Sequence, residues 1–128
     1  YDCCEHTGTV STSLEYNIAD FALAAFAGAR GDTATQARFL ERAQGWQYLL
    51  NPQSGFVQPR RSSGAWKENF DPTDFSYGDW AEGNSWKYTP MVPFNAAGLV
   101  AAKGGPAAMG DYLDTHLQQV NEIAGPHA

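Results

Sequence analysis

Cysteine is nearly absent from this sequence: its 128 residues include two, adjacent at Cys3 and Cys4. Neighbouring cysteines rarely reach the geometry of an unstrained disulfide, so the disulfide framework of a small secreted domain is excluded. With Asp2 and His6 the pair could supply half of a zinc site, but a closed site needs a tetrahedral ligand set and no second Cys/His pair has matching spacing. We therefore predict no zinc site at this pair and interpret the cysteines as an ordinary pair near one end of the chain.

Basic residues are also scarce. Eight lysines and arginines are scattered along the chain, and the formal net charge is −6. This balance gives no electrostatic footprint for nucleic acid or an anionic membrane. No apolar run approaches the length that crosses a bilayer, and there is neither a hydrophobic signal region nor a lipidation motif. We expect neither nucleic acid nor membrane as a partner, while a targeting segment ahead of Tyr1 stays open because the chain does not begin with Met.

Two runs of apolar residues at helical spacing predict a first helical hairpin. Thr12 and Glu15 form a capping-box pattern, which predicts a helix over about residues 13–29. Gly31 ends this helix, and Asp32 caps a second one that continues to the next proline. The positions expected to face the core are Leu14, Ile18, Phe21, Ala22 and Ala25 in the first helix and Phe39, Leu40, Ala43, Trp46 and Leu50 in the second.

The next thirty or so residues, about 51–80, lose this periodicity and contain several Pro, Gly and Ser. They predict a long ordered loop, which in a compact domain usually builds a binding surface. Within it, residues 55–60 predict a short strand, and residues 63–66 predict a turn that presents Trp66.

Helical character resumes over residues 94–102, and a last helix is predicted from about Pro106. The apolar fraction of 43% and the length fit a single globular unit over 1–128. The predicted fold class is therefore all-α, with two helical hairpins joined by a long ordered loop. This order is typical of part of a helical toroid, whose sites are built from loops at one rim.

Chemistry-bearing residues are concentrated between Tyr77 and Tyr88. A carboxyl group among aromatic rings is partly desolvated, which favours the neutral form that a general acid needs, and Glu82 is the candidate. Trp80, Trp86 and Tyr88 offer flat apolar faces with polar edges that suit a sugar ring. The alternative is that these rings fill a core and Glu82 caps the following turn.

Several short motifs follow one another in a fixed order. The most specific run is Glu82-Gly83-Asn84-Ser85-Trp86-Lys87-Tyr88-Thr89. The others are Ser13-Leu14-Glu15-Tyr16, Asn51-Pro52-Gln53-Ser54-Gly55-Phe56, Pro59-Arg60, Gly64-Ala65-Trp66, Phe70-Asp71-Pro72, Met91-Val92-Pro93-Phe94-Asn95 and Gly98-Leu99. In order and spacing, over nearly the whole chain, this set resembles the calcium-dependent, inverting α-mannosidases of glycoside hydrolase family ninety-two.

The resemblance implies a segment of an (α/α)6 toroid that, in the full enzyme, follows a β-sandwich domain. It implies an exo-acting α-1,2-mannosidase that removes terminal mannose from glycans, with Glu82 as general acid and with Trp86 and Tyr88 shaping the mannose pocket. An Asn-Glu-Pro motif, the general base and most calcium ligands are expected outside these residues, in the remainder of the enzyme. The implied localisation is bacterial secretion to the periplasm or exterior.

Two positions depart from the family pattern. Pro90 stands where a Trp is common, which puts a stacking role there in doubt, and Lys87 stands where an uncharged residue is usual. Asp71, Asp74 and Asp79 lie near Glu82 in sequence, but their ordinary role is turn chemistry, so we do not expect any of them to be the base.

Two other functions stay open at this point. The aromatics could belong to a non-catalytic carbohydrate-binding or scaffold module, which would bind mannosides without hydrolysing them. The chain could also belong to another toroid glycosidase family with a different sugar, although the run from Glu82 to Tyr88 argues against that.

Overall fold

The structure is a computed structural model that describes residues 8–119. The predictions on Asp2, Cys3, Cys4 and His6 lie outside the described residues. The chain divides between Phe94 and Asn95 into two compact units, which are described separately. The elements are α1 (Thr9–Ala29), α2 (Thr33–Ala43), a 3₁₀ helix (Gln44–Tyr48), β1 (Leu50–Asn51), β2 (Phe56–Val57), α3 (Ser85–Tyr88), a second 3₁₀ turn (Pro93–Asn95), α4 (Ala96–Ala102) and α5 (Pro106–Gln119). The predominantly helical character is as predicted.

Helix α1 begins at Thr9, so Thr12 and Glu15 lie inside it and the predicted capping box is wrong. No side chain caps this end. Instead, backbone amides of the first turn donate to the carbonyl oxygens of Gly78 and Asp79 at 3.0 Å. The free amides of a helix start need acceptors of some kind, and here a distant loop supplies them in place of a local cap.

Helices α1 and α2 form the predicted hairpin and run antiparallel. The Arg42 Nε donates to Asp20 Oδ2 at 3.1 Å, and the Arg42 carbonyl accepts from Asn17 Nδ2 at 3.1 Å. Asn17 and Asp20 are therefore buried, beside the fully buried Leu14. Of the other positions predicted to face the core, Ile18 is half-buried, whereas Phe21, Ala22 and Ala25 are exposed, so the predicted apolar face is only partly correct.

The start of α2 is as predicted. Asp32 Oδ1 accepts a hydrogen bond from the Thr35 amide at 3.0 Å, and this bond holds the pKa of Asp32 below its ordinary value. Three of the predicted core positions, Ala43, Trp46 and Leu50, are buried, although the α-helix itself ends at Ala43 and tightens into a 3₁₀ helix.

The loop that follows contains a two-stranded antiparallel hairpin, in which Leu50 pairs with Val57 and Asn51 with Phe56. Strand β2 confirms the predicted short strand, whereas β1 was assigned to helix by periodicity. The predicted turn before Trp66 also forms, and its indole lies beneath the Arg60 guanidinium at 4.7 Å from the ring centroid.

The second unit contains the second predicted hairpin, α4 and α5. The Asn95 side chain caps α4 by accepting from the Gly98 amide at 3.0 Å. The Lys103 ammonium lies 3.8 Å from the centroid of the buried Tyr112 ring, and its burial lowers the pKa of Lys103.

Candidate functional site

Glu82 lies in a tight loop between Trp80 and α3 and has a left-handed backbone, with φ at 56°. Among non-glycine residues this region is uncommon and is populated mainly by Asn, Asp and His. Asn69, with φ at 52°, fits that preference, whereas Glu82 does not. An L residue held there costs on the order of 1 kcal/mol. Contacts around the loop must therefore stabilise it.

The residue before Glu82 is held at both of its backbone polar groups. The Ala81 amide donates to Ser11 Oγ at 3.0 Å, and Ser11 is 1% exposed in the first turn of α1. The Ala81 carbonyl accepts a hydrogen bond from the Tyr88 hydroxyl in α3. The two peptide groups on either side of Ala81 are thus each held by a side chain from a different helix.

The Tyr88 ring stacks on Trp80, with centroids 5.6 Å apart and planes 20° apart. Gly83 lies beside the ring: a Cβ placed at this residue would be 2.9 Å from Tyr88 Cε2. Gly83 is therefore needed because a side chain here would collide with the Tyr88 ring. It is not needed for a left-handed backbone, since its φ is not positive.

Buried polar side chains fix the short helix α3 to its surroundings. Ser85 Oγ donates to the Val57 carbonyl, and the Val57 amide donates to Thr89 Oγ1 at 3.1 Å. Asn84 caps α3 by accepting from the Lys87 amide at 3.2 Å. Asn84, Ser85 and Thr89 are fully buried, and their hydrogen bonds fix the short helix that follows Glu82.

The Glu82 side chain is exposed, and no residue between 8 and 119 forms a hydrogen bond or ion pair with its carboxylate. The expectation that the aromatics of its own stretch desolvate it is wrong for the described residues. Trp80 and Tyr88 stack on each other, and the Glu82 side chain stays exposed to solvent.

Of the three predicted site residues, the structure links Glu82 and Tyr88. Tyr88 is linked to the Glu82 loop through its hydroxyl, whereas Trp86 packs edge-on against Phe56 with centroids 4.6 Å apart. Trp86 is half-buried. The ring contact with β2 gives Trp86 a packing role whatever else it does.

Two of the three nearby aspartates, Asp71 and Asp79, make local side-chain contacts. Thr73 donates its hydroxyl and its amide to Asp71 Oδ1, and these bonds lower the pKa of Asp71. Asp79 forms an ion pair with Lys67, with Nζ and Oδ2 2.6 Å apart. This pair lines an open pocket of about 580 Å³, together with Tyr48 and other residues, and Glu82 is not part of that lining.

Sequence reasoning missed Ser11, the residue that anchors the loop from α1. Its hydroxyl donates to the Gly8 carbonyl at 2.9 Å while it accepts from Ala81. No signal in the sequence links a serine in a helical pattern to a loop seventy positions later.

Within residues 8–119, no three His, Cys, Asp or Glu side chains lie close enough together to hold a metal ion. In the same range, no helix is both long enough and apolar enough to cross a membrane.

The family model described as the glycosyl hydrolase family 92 catalytic domain matches residues 1–126. The fold is similar to that of an inverting mannosidase of this family from Bacteroides thetaiotaomicron, with 31% identity over 82% of this chain and a TM-score of 0.79. An α-mannosidase of the family from the same organism is 30% identical over 87% of this chain, with a TM-score of 0.74. Its complex with mannoimidazole gives 28% identity over 86% of this chain and a TM-score of 0.73.

The chain spans 14% of the length of the first two of these structures and 15% of the third. No curated protein sequence matches it.

Proposed function

The chain belongs to glycosyl hydrolase family 92, and on that premise we propose that it is a segment of the catalytic domain of an exo-acting α-1,2-mannosidase. The proposed reaction removes a terminal mannose from a glycan with inversion, and Glu82 is the general acid. The structural relatives, described as an inverting mannosidase and an α-mannosidase, support the reaction class. The left-handed backbone of Glu82 supports the residue assignment, because strained conformations of this kind cluster at active sites.

Exposed apolar side chains support the proposal that these residues are part of a larger domain. On α1, Tyr16 is 58% exposed, Leu23 47% and Phe26 66%. Burying a side chain of this size contributes roughly 1.5–3 kcal/mol, and neighbouring hairpins of a toroid would supply the covering surface. The small share of the relatives' length that the chain spans agrees with this. We assign the remaining walls of the active site to the rest of the complete enzyme.

In the proposed reaction, the Glu82 carboxyl gives its proton to the glycosidic oxygen as the bond from that oxygen to the anomeric carbon breaks. A second carboxylate, about 6.5–9.5 Å away, removes a proton from the water that attacks the opposite face of the sugar. The fixed backbone and free side chain of Glu82 suit this role, since the carboxyl group has no competing partner among residues 8–119.

The second carboxylate is assigned to residues outside this chain. Asp71 is occupied by Thr73, and Asp79 is paired with Lys67, so neither is free to activate water. Asp79 would have to give up its ion pair with Lys67 to activate water.

The family resemblance implies calcium, but residues 8–119 do not form a calcium-binding site. Calcium takes about six to eight oxygen ligands, several of them carboxylates, and the described acidic residues do not cluster. We therefore assign its ligands to the rest of the complete enzyme and derive no catalytic step through the ion.

Trp86 and Tyr88 are proposed to shape the wall of the mannose pocket. Both rings are half-buried, so each keeps part of its surface accessible. A bacterial periplasmic or extracellular location is likewise proposed from the family alone.

Replacing Glu82 by Gln in the complete enzyme tests the assignment. With α-1,2-mannobiose and calcium, kcat is expected to fall by about 10²–10⁴-fold, the usual contribution of a general acid. Glu68→Gln, which changes another exposed glutamate, is the matched control and should leave kcat unchanged. Wild-type activity in Glu82→Gln would remove Glu82 from the acid role.

Proton NMR of the first-formed product tests inversion separately. Hydrolysis of an α-mannoside should release β-mannose before mutarotation. Release of α-mannose would contradict an inverting mechanism, whichever residue is the acid.

A further inference from the structure

We propose that Ser11 and Tyr88 are positioning residues that hold the Ala81 peptide groups and thereby set the backbone of Glu82. This inference rests on the proposed role of Glu82 as general acid. It assigns a function to α1, which contributes no residue to the predicted site.

The direction of the Ser11 hydroxyl is fixed by its contacts at the start of α1. It is 1% exposed, and its single hydroxyl proton is given to the Gly8 carbonyl at 2.9 Å. The oxygen lone pairs are therefore turned toward Ala81, whose amide donates at 3.0 Å. A hydroxyl has one proton, so this division of donor and acceptor defines its direction.

The start of α1 is itself tied to the same loop. The Val10 amide donates to the Asp79 carbonyl at 3.0 Å, and a Cβ at Gly8 would come within 2.3 Å of the Trp80 carbonyl carbon. The loop and the helix start are thus in direct backbone contact. The position of Ala81 therefore depends on contacts with the first turn of α1.

Tyr88 holds the peptide group on the C-terminal side of Ala81. Its hydroxyl donates to the Ala81 carbonyl, and that carbonyl belongs to the peptide that contains the Glu82 amide. The ring is fixed by its stack on the buried Trp80. One peptide group is therefore set by a side chain from α3 and the preceding one by a side chain from α1.

Loss of either hydrogen bond removes a restraint on a strained residue. The Glu82 backbone would then move toward the right-handed or extended region, which L residues prefer. A displacement of about 1 Å from the productive geometry lowers a catalytic rate on the order of 10²-fold. The loss should appear only in steps that need the Glu82 proton.

The test compares Ser11→Ala and Tyr88→Phe in the complete enzyme with two controls. Ser13→Ala removes a hydroxyl whose hydrogen bond among residues 8–119 stays within α1, to the Thr9 carbonyl. Tyr77→Phe removes the hydroxyl of a tyrosine that is 80% exposed. Each variant is assayed on α-1,2-mannobiose, whose leaving group needs protonation, and on 2,4-dinitrophenyl α-mannoside, whose leaving group does not.

We expect kcat on mannobiose to fall by about 10- to 100-fold in Ser11→Ala and Tyr88→Phe, with less than about threefold change on the activated mannoside. The controls should match wild type on both. Equal losses on the two substrates would show a general structural role and overturn the inference, as would wild-type rates on mannobiose.

A double-variant comparison covers the case in which one single variant folds poorly. If Tyr88 acts through Glu82, Tyr88→Phe should cause no further loss on mannobiose in a Glu82→Gln background. Additive losses would contradict the inference. The Glu82→Gln variant separates the two hypotheses. If its loss of activity is the same on both substrates, the proposed acid role of Glu82 is refuted. If its loss is larger on mannobiose but the losses in Ser11→Ala and Tyr88→Phe are not, only the positioning role is refuted.

Discussion

Ser11 Oγ accepts a hydrogen bond from the Ala81 amide at 3.0 Å, across seventy positions of the chain. This contact joins the first turn of α1 to the loop that carries Glu82. It explains why the loop can keep Glu82 in a left-handed conformation although glutamate does not favour that region.

Strain at Glu82 predicts that glycine stabilises this position relative to alanine. Glu82→Gly should unfold at a higher temperature than Glu82→Ala, because glycine adopts a positive φ without steric cost. The expected difference is about 1 kcal/mol. Thermal unfolding of the two variants of the complete enzyme, measured side by side, checks it. Equal stability would show that the backbone is not strained.

Thr89 is expected to be required for the docking of β2. The Val57 amide donates to its buried hydroxyl at 3.1 Å, so Thr89→Val leaves a buried amide without its acceptor. The expected cost is about 1–3 kcal/mol of unfolding free energy. Thr89→Ser keeps the acceptor and should lose less, and denaturant unfolding measures both variants. A larger loss in Thr89→Ser would point to the methyl group instead.

Ionised Asp32 is expected to stabilise the start of α2 in a pH-dependent manner. The Thr35 amide lowers the pKa of Asp32 in the folded protein below its ordinary value. The stabilisation by ionised Asp32 is therefore fully present at pH values above the ordinary pKa, and it is lost as the pH falls through the lowered pKa of the folded protein. Asp32→Ala should therefore lower Tm equally at pH 7 and pH 5, and by less below about pH 4. Asp32→Asn, which keeps a capping oxygen, should not show this dependence. A Tm loss in Asp32→Ala that persists unchanged into acid would contradict the assignment.

Asp79 is expected to be structural and not the general base. Its carboxylate pairs with Lys67 at 2.6 Å, so Asp79→Asn should reduce kcat by less than about tenfold on any mannoside. Loss of a general base would instead remove on the order of 10²–10⁴-fold with good and poor leaving groups alike. Steady-state kinetics on both substrate types distinguish these outcomes.

The isolated 128-residue chain is expected to be inactive because it lacks the proposed base. Incubation with α-1,2-mannobiose and calcium should yield no mannose, and calorimetry should detect no saturable mannoside binding. The complete enzyme is the positive control. Saturable binding by the chain alone, without hydrolysis, would favour the carbohydrate-binding module.

Local signals predicted those features of the fold whose partners lie close in sequence. Asp32 caps α2 through the amide of Thr35, three residues away, as the sequence predicted. The order of two helical hairpins around a long loop was likewise readable from periodicity and from Gly and Pro positions. Such features depend on a few adjacent residues, so the sequence pattern contains them.

Features that depend on distant partners were not predictable. The start of α1 depends on carbonyls of Gly78 and Asp79, and its buried face depends on Arg42 in α2. The residue type at position 82 identified a candidate acid, but its left-handed backbone and its tie to Ser11 come from tertiary contacts. Periodicity within one helix contains no information about these contacts.

The most direct test of the central claim is the dependence of kcat/KM on the leaving group in Glu82→Gln. A series of aryl α-mannosides is assayed with the wild-type complete enzyme and with the variant. If Glu82 delivers the proton, the wild-type rate should change little across the series, whereas the rate of the variant should fall steeply as the leaving group becomes more basic. Parallel, shallow plots for the two enzymes would contradict the assignment of Glu82 as the general acid.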